Sequence, residues 1–217
     1  MSYPIDPAEL TKEKFLYDIY KTTHIFERSK FNSISIGLVF LSLVAYSLIT
    51  NEDYSAIANK TRVLADLGIS LIANLLGFLI AGFTIFATFG DKDFFMFLAV
   101  KRHAKYGISY LKYSFFTFMK VFIVYSFFGA ICICIKLFCD KGGLISILFE
   151  SEILNGFLTK KTASCVSYTL IGTYMFYLFI VMKSFIFNVY HVVMTKIRWE
   201  FERADLISED QQSELPE

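Results

Sequence analysis

Apolar residues fall along this chain in four long runs, and the cleanest, Leu67 to Phe89, passes twenty-three residues without a charge. A helix of that length is about 35 Å long, more than a hydrocarbon core of roughly 30 Å. The run is apolar on every side, so it predicts a helix in apolar surroundings rather than one lying on a core with its back to water. The remaining runs predict spans over about residues 33–50, 113–137 and 163–182. Span one is short and carries Ser33, Ser35, Ser42 and Ser47, which fits a helix enclosed by others.

Between the spans the pattern changes. Residues 1–31 read as one amphipathic helix: Asp6 and Pro7 form an N-cap and first-turn pair, Glu9 stands at capping-box spacing, and Leu10, Phe15, Ile19 and Phe26 make an approximate apolar stripe. Such a helix lies at the membrane surface, docks on a partner, or packs on its own bundle. Asn51 to Arg62 reads as a polar loop, and Gly90-Asp91-Lys92-Asp93 ends span two. Residues 94–112 set Phe94, Phe95 and Phe97 beside Lys101, Arg102, His103 and Lys105, the pattern of an interfacial helix against an anionic leaflet. Residues 144–158, with Glu150 and Glu152 in the middle, are too short and too acidic to span, and read as interfacial or re-entrant. Helical pattern continues from Lys183 through Trp199 into an acidic tail. The expected fold is an all-α integral membrane protein of four transmembrane helices with N-terminal and loop interfacial helices. Its parts are a cytoplasmic amphipathic helix (1–31), a four-span bundle (32–183) and a cytoplasmic helical extension with an acidic tail (184–217).

Composition agrees. Charged residues make up 19% of the chain, below the roughly 25% of globular domains, as burial in lipid requires. The first apolar run begins near Ser33, too late for a signal-peptide core, so it is expected to remain as an uncleaved span. Orientation follows from the cations. Fifteen of the twenty-one Lys and Arg fall in the N-terminal segment, around the loop between spans two and three, and after span four. The positive-inside rule then puts both termini in the cytoplasm.

The chemistry that the spans can support is narrow. No carboxylate lies mid-span, so a proton path finds no relay. His24, His103 and His191 stand at no metal-ligand or nucleophile-activating spacing, and the glycines form no phosphate loop. Cys132, Cys134, Cys139 and Cys165 form no CxxC, and a pair between Cys139 and Cys165 stays open. An enzyme, a metal centre and a cofactor site are therefore not expected.

Two surfaces carry the remaining information. On span two, Ala73, Gly77 and Ala81 recur every four residues beside Asn74 and Thr84. Small residues let helices approach closely in lipid, and Asn74 can hydrogen-bond across such a contact. The stripe either packs within one protomer or joins copies in a homo-oligomer, and Gly82 marks a second face. The other surface is basic and aromatic: Phe94, Phe95, Lys101, Arg102 and Lys105, with Trp199 reaching toward the same compartment. Anionic lipid or a cytosolic protein would suit it, while its three cations are few for direct contact with nucleic acid.

With four spans, the run GFLIAGFTIF at 77–86 and the stretch SYLKYSFFTFMKVF at 109–122, the chain resembles small inner-membrane proteins carried in bacterial phage-defence operons, in particular the membrane subunit of the Kiwa system. The resemblance implies a homotetrameric four-span subunit that senses infection at the envelope and binds a cytosolic DNA-binding partner. It transfers no functional residue, because no motif allows a residue-by-residue match. Two readings of function follow: a non-enzymatic sensor and scaffold in the bacterial inner membrane, or a membrane-perturbing effector or small channel that depolarises the cell.

Overall fold

The computed structural model describes residues 7–24, 26, 29–140, 142–145, 147 and 157–213. Seven helices cover most of them: α1 (Pro7–Leu10), α2 (Leu16–His24), α3 (Lys30–Ile49), α4 (Tyr54–Phe89), α5 (Lys92–Val100), α6 (Tyr110–Phe138) and α7 (Phe157–Ser213). Among the described residues no strand forms beyond an isolated antiparallel bridge between Arg102 and Ser109. Four helices, α3, α4, α6 and α7, are long and apolar enough to cross a membrane. Leu38, Leu41, Phe78, Ile85, Phe127 and Phe179 are among the large apolar side chains exposed on them. In water so many would constitute an aggregation surface, whereas in lipid they face their own solvent.

The chain divides into two units. The first comprises Met1–Phe26, Ile80–Lys120 and Lys183–Glu217, and the second Glu27–Leu79 and Val121–Met182. In the second unit α4 presents Ile57, Thr61, Ala65, Gly68 and Ile72 inward, spaced three and four residues apart as a helix face requires. Against them stand Val124, Tyr125, Phe128 and Cys132 of α6 and Ile171, Met175 and Leu178 of α7. The Tyr125 hydroxyl donates to the Leu178 carbonyl at 2.9 Å, so the phenol is satisfied in a fully buried place. Gly68 permits the closest approach: a Cβ there would stand 2.9 Å from the Cys132 sulfur and 3.1 Å from the Phe128 ring. Polar ties gather at the helix ends. Lys136 pairs with Asp66 at 3.0 Å, Lys60 with Glu52 at 2.6 Å, and the Lys161 ammonium donates to the Thr50 carbonyl at 3.2 Å.

The first unit is built on rings. Phe86 meets Phe118 at 4.9 Å and Phe115 at 5.0 Å, and Phe118 meets Phe185 at 5.2 Å. The N-terminal helices are held there by charge as well. Lys112 pairs with Glu13 at 2.6 Å, with side chains only 8% and 15% exposed, and also donates to the Glu9 carbonyl at 2.8 Å. Lys120 donates to the Thr23 carbonyl at 3.2 Å.

Several expectations change. The N-terminal segment holds two short helices rather than one over 1–31, because α2 restarts at Leu16, just after Phe15, whose backbone N–H donates to Asp18 at 3.2 Å, a local cap that competes with continuation. Span two begins earlier than Leu67: helix α4 starts at Tyr54, so most of the expected polar loop 51–62 is helical. Span one is not enclosed. Of α3's residues Ser47 alone is buried, and Ser35 and Ser42 satisfy their hydroxyls on the Phe31 and Leu38 carbonyls of their own helix. The interfacial helix expected over 94–112 ends at Val100. The segment 144–158 falls mainly outside the described residues. All four cysteines are free thiols, and burial pushes that of Cys139 above its ordinary value against the opposing pull of Arg62.

Gly68 and Gly37 make a controlled pair, since nothing lies within 4 Å of a Cβ at Gly37. Gly68→Leu should cost about 1–3 kcal/mol through overpacking. Gly37→Leu should leave stability nearly unchanged, both read by thermal unfolding in mild detergent.

Candidate functional site

On α4 the small-residue positions stay exposed among the described residues: Ala73, Asn74 and Gly77 in the second unit, and Ala81 and Thr84 in the first. Nothing lies within 4 Å of a Cβ built at Gly77. Asn74 does not reach across a helix contact here; its side-chain amide donates to the Ser70 carbonyl at 3.0 Å, and Thr84 donates to Ile80 at 2.9 Å. Both side chains thus spend their donors on their own helix, and the small residues beside them would let another helix approach closely in lipid. Gly82 does pack within the chain, 3.2 Å from the Phe185 ring by its Cβ position.

The basic and aromatic surface separates into two parts. Asp91 caps α5 by accepting from the Phe94 N–H at 2.8 Å. This places Phe94, Leu98 and Ala99 on the buried side of the helix. Phe94 is 1% exposed and meets the Trp199 ring at 5.7 Å, and Phe97 meets it at 6.1 Å. Arg203 covers Trp199 at 5.2 Å and pairs with Asp93 at 2.9 Å. Phe95 packs on Phe86 at 5.9 Å. Phe94, Phe95 and Trp199 are therefore engaged inside the unit, where they clamp α5 to α7. The sequence hid this because the two halves of the clamp lie about a hundred residues apart. The Asp91-x-x-Phe94 cap, by contrast, stands at readable spacing.

Lys101, Arg102 and Lys105 stay exposed on the tight turn that joins α5 to α6. The turn is closed by His103 N–H to the Ile108 carbonyl at 2.8 Å and Tyr110 N–H to the Lys101 carbonyl at 2.9 Å, with Gly107 at φ +68° supplying the left-handed step. Arg102 pairs with Glu9 at 2.9 Å and donates to the Gly107 carbonyl at 3.0 Å, so it also ties α1 to the turn. Behind it His103 lies among Tyr106, Tyr110 and Tyr113 at 4.7, 5.0 and 4.7 Å. Phe26 joins the cluster through Tyr106 and Tyr113. His103 Nδ1 accepts from the Lys105 N–H at 3.2 Å, which requires the ring nitrogen to be unprotonated. Among the described residues no group of three or more His, Cys, Asp or Glu is placed to hold a metal ion.

Neither a protein-family model, nor a curated protein, nor a solved structure matches this chain.

Burial among the tyrosines, reinforced by Lys105, holds His103 below its ordinary pKa of 6.5. The unfolded chain takes up the proton first as pH falls, so this contribution is present above 6.5 and erodes below it. Unfolding temperature should fall as pH drops below about 6.5. His103→Phe, which keeps the ring and removes the titration, should flatten that slope. An unchanged slope would show that other groups set it.

Proposed function

We propose that the protein is a non-enzymatic, multi-pass sensor and scaffold of the bacterial inner membrane, serving an anti-phage defence system. It assembles with copies of itself through α4 and docks a cytosolic partner. The observation that carries this reading is the exposed face of Ala73, Gly77 and Ala81, left unfilled on an otherwise fully helical apolar segment. A face of this kind gains most from a second helix, because small residues let backbones meet and van der Waals contact replace lipid. The resemblance to membrane subunits of defence operons supplies the number, a tetramer, and the setting.

Both termini and the turn between α5 and α6 then face the cytoplasm, a reading supported by the cation distribution. With Phe94 and Trp199 committed to the clamp, the docking surface narrows to Lys101, Arg102 and Lys105. Anionic headgroups share that rim, since exposed cations beside a leaflet attract them at little structural cost. Direct binding of nucleic acid is not part of the proposal.

Gly77→Leu combined with Ala81→Leu should reduce the size of the native assembly on a sizing column in mild detergent. An unaltered elution would exclude this face as the subunit contact. Affinity purification of the wild type should bring down a stoichiometric cytosolic protein, and Lys101→Glu with Lys105→Glu should lose it while membrane insertion persists. If no partner appears and induced expression of this chain alone depolarises cells, the effector reading replaces the scaffold.

A further inference from the structure

The second unit forms a half-open cavity of about 910 Å³ that neither interaction surface uses. Its volume lies at the upper end of the roughly 300–1,000 Å³ typical of small-molecule sites. The lining is graded. Asn59 and Arg62 stand near the start of α4 and Ser167 near the start of α7, whereas Ile171 lies further along α7 and Phe128 and Ile131 lie back along α6 from its C-terminal end. Arg62 marks the polar end, because its Nε donates to the Cys139 carbonyl at 2.6 Å, just beyond the last turn of α6. From Cys139 back to Phe128 the α6 helix runs about 16 Å, so the apolar lining extends well past the depth of a headgroup.

Arg62 has no carboxylate partner among the described residues, and its Nη donors carry no hydrogen bond there. A half-buried guanidinium with no ion-pair partner, lining a half-open cavity at the edge of an apolar bundle, leaves its Nη donors free for an anion. Its planar donors suit the oxygens of a phosphate or carboxylate, and Ser167 and Asn59 add neutral donors to the same lining.

We propose that this cavity binds one anionic amphiphile, a phosphate-headed membrane lipid, with its headgroup on Arg62 and an acyl chain along Phe128, Ile131 and Ile171. The charge and the apolar depth are both needed. An anion alone would leave the lower lining empty, and a neutral lipid would leave the guanidinium unmatched. This inference does not depend on α4-mediated assembly, and loss of one leaves the other standing.

Native mass spectrometry of the full chain in mild detergent tests it, with phosphatidylglycerol, phosphatidylcholine of the same acyl chains, and inorganic phosphate as probes. The wild type should prefer phosphatidylglycerol by about tenfold, the scale of one hydrogen bond to a charged group. Arg62→Gln should abolish that preference. Ser167→Asp should do the same by repelling the anion and offering Arg62 a competing carboxylate, so the test survives if Arg62→Gln fails to fold. Lys60→Gln, a neighbouring cation outside the cavity and paired with Glu52, should change nothing. Equal binding of both lipids by the wild type, a preference that survives Ser167→Asp, or equal loss in Lys60→Gln would each overturn the proposal. Inorganic phosphate binding as well as the lipid would make the ligand a free anion and overturn it too.

Discussion

A polar group on a long apolar helix is costly to leave unpaired, and that constraint shapes the described residues, where the Thr173 hydroxyl and the Asn188 amide nitrogen are buried without a partner. The backbone meets it by remaining helical over segments as long as α4 and α7. The side chains meet it locally: Ser35, Ser42, Asn74, Thr84, Thr88, Thr117 and Thr195 all donate to the carbonyl one turn back on their own helix. Polar residues spent this way cannot specify which helix lies beside which. Shape must do so, and Gly68 and Gly172 mark where. Their missing Cβ atoms would come within 2.9 Å of Cys132 and of Leu43.

Where polar contacts do cross between helices in the second unit, they are few and placed at ends or at full burial. Tyr125 to Leu178 is the buried case, while the Lys136–Asp66 pair stands among exposed charges. Exposed pairs contribute little to stability in water and are screened by salt. Their worth here lies in setting helix register near a boundary, where a long side chain reaches out of apolar surroundings.

The apolar runs made the four long helices legible, because length and absence of charge are local properties. Helix starts were less legible. Ile57, Thr61 and Ala65 already carry the inward period of α4, but Glu52, Asp53 and Lys60 around them gave the stretch the look of a loop. At the N-terminus the stripe Leu10, Phe15, Ile19 and Phe26 implied continuity, while the Asp18 cap at Phe15 imposes a restart. Side-chain roles on the basic and aromatic surface were the hardest to read. Composition identifies rings and cations, but whether a ring faces outward or is taken by Trp199 depends on contacts distant in sequence. Arg62 was hidden for a related reason: read as the end of a polar loop, it stood beside Lys60 with nothing local to set it apart.

The buried Lys112–Glu13 pair has a consequence of a different kind. Two charges in so enclosed a place gain little net stability over an apolar pair, because desolvation offsets their attraction. Removing one partner is another matter, since the survivor is left uncompensated, at a typical cost of about 3–5 kcal/mol. The pair therefore acts on specificity: the N-terminal segment docks on α6 in the register that joins Glu13 to Lys112, and a slip by one turn would strand both. Lys120 on Thr23 and Arg102 on Glu9 repeat the device along the same segment. Apolar contacts such as Phe26 on Tyr113 supply adhesion but tolerate sliding. Charge placed at three points along that segment fixes the position that the rings alone would leave loose.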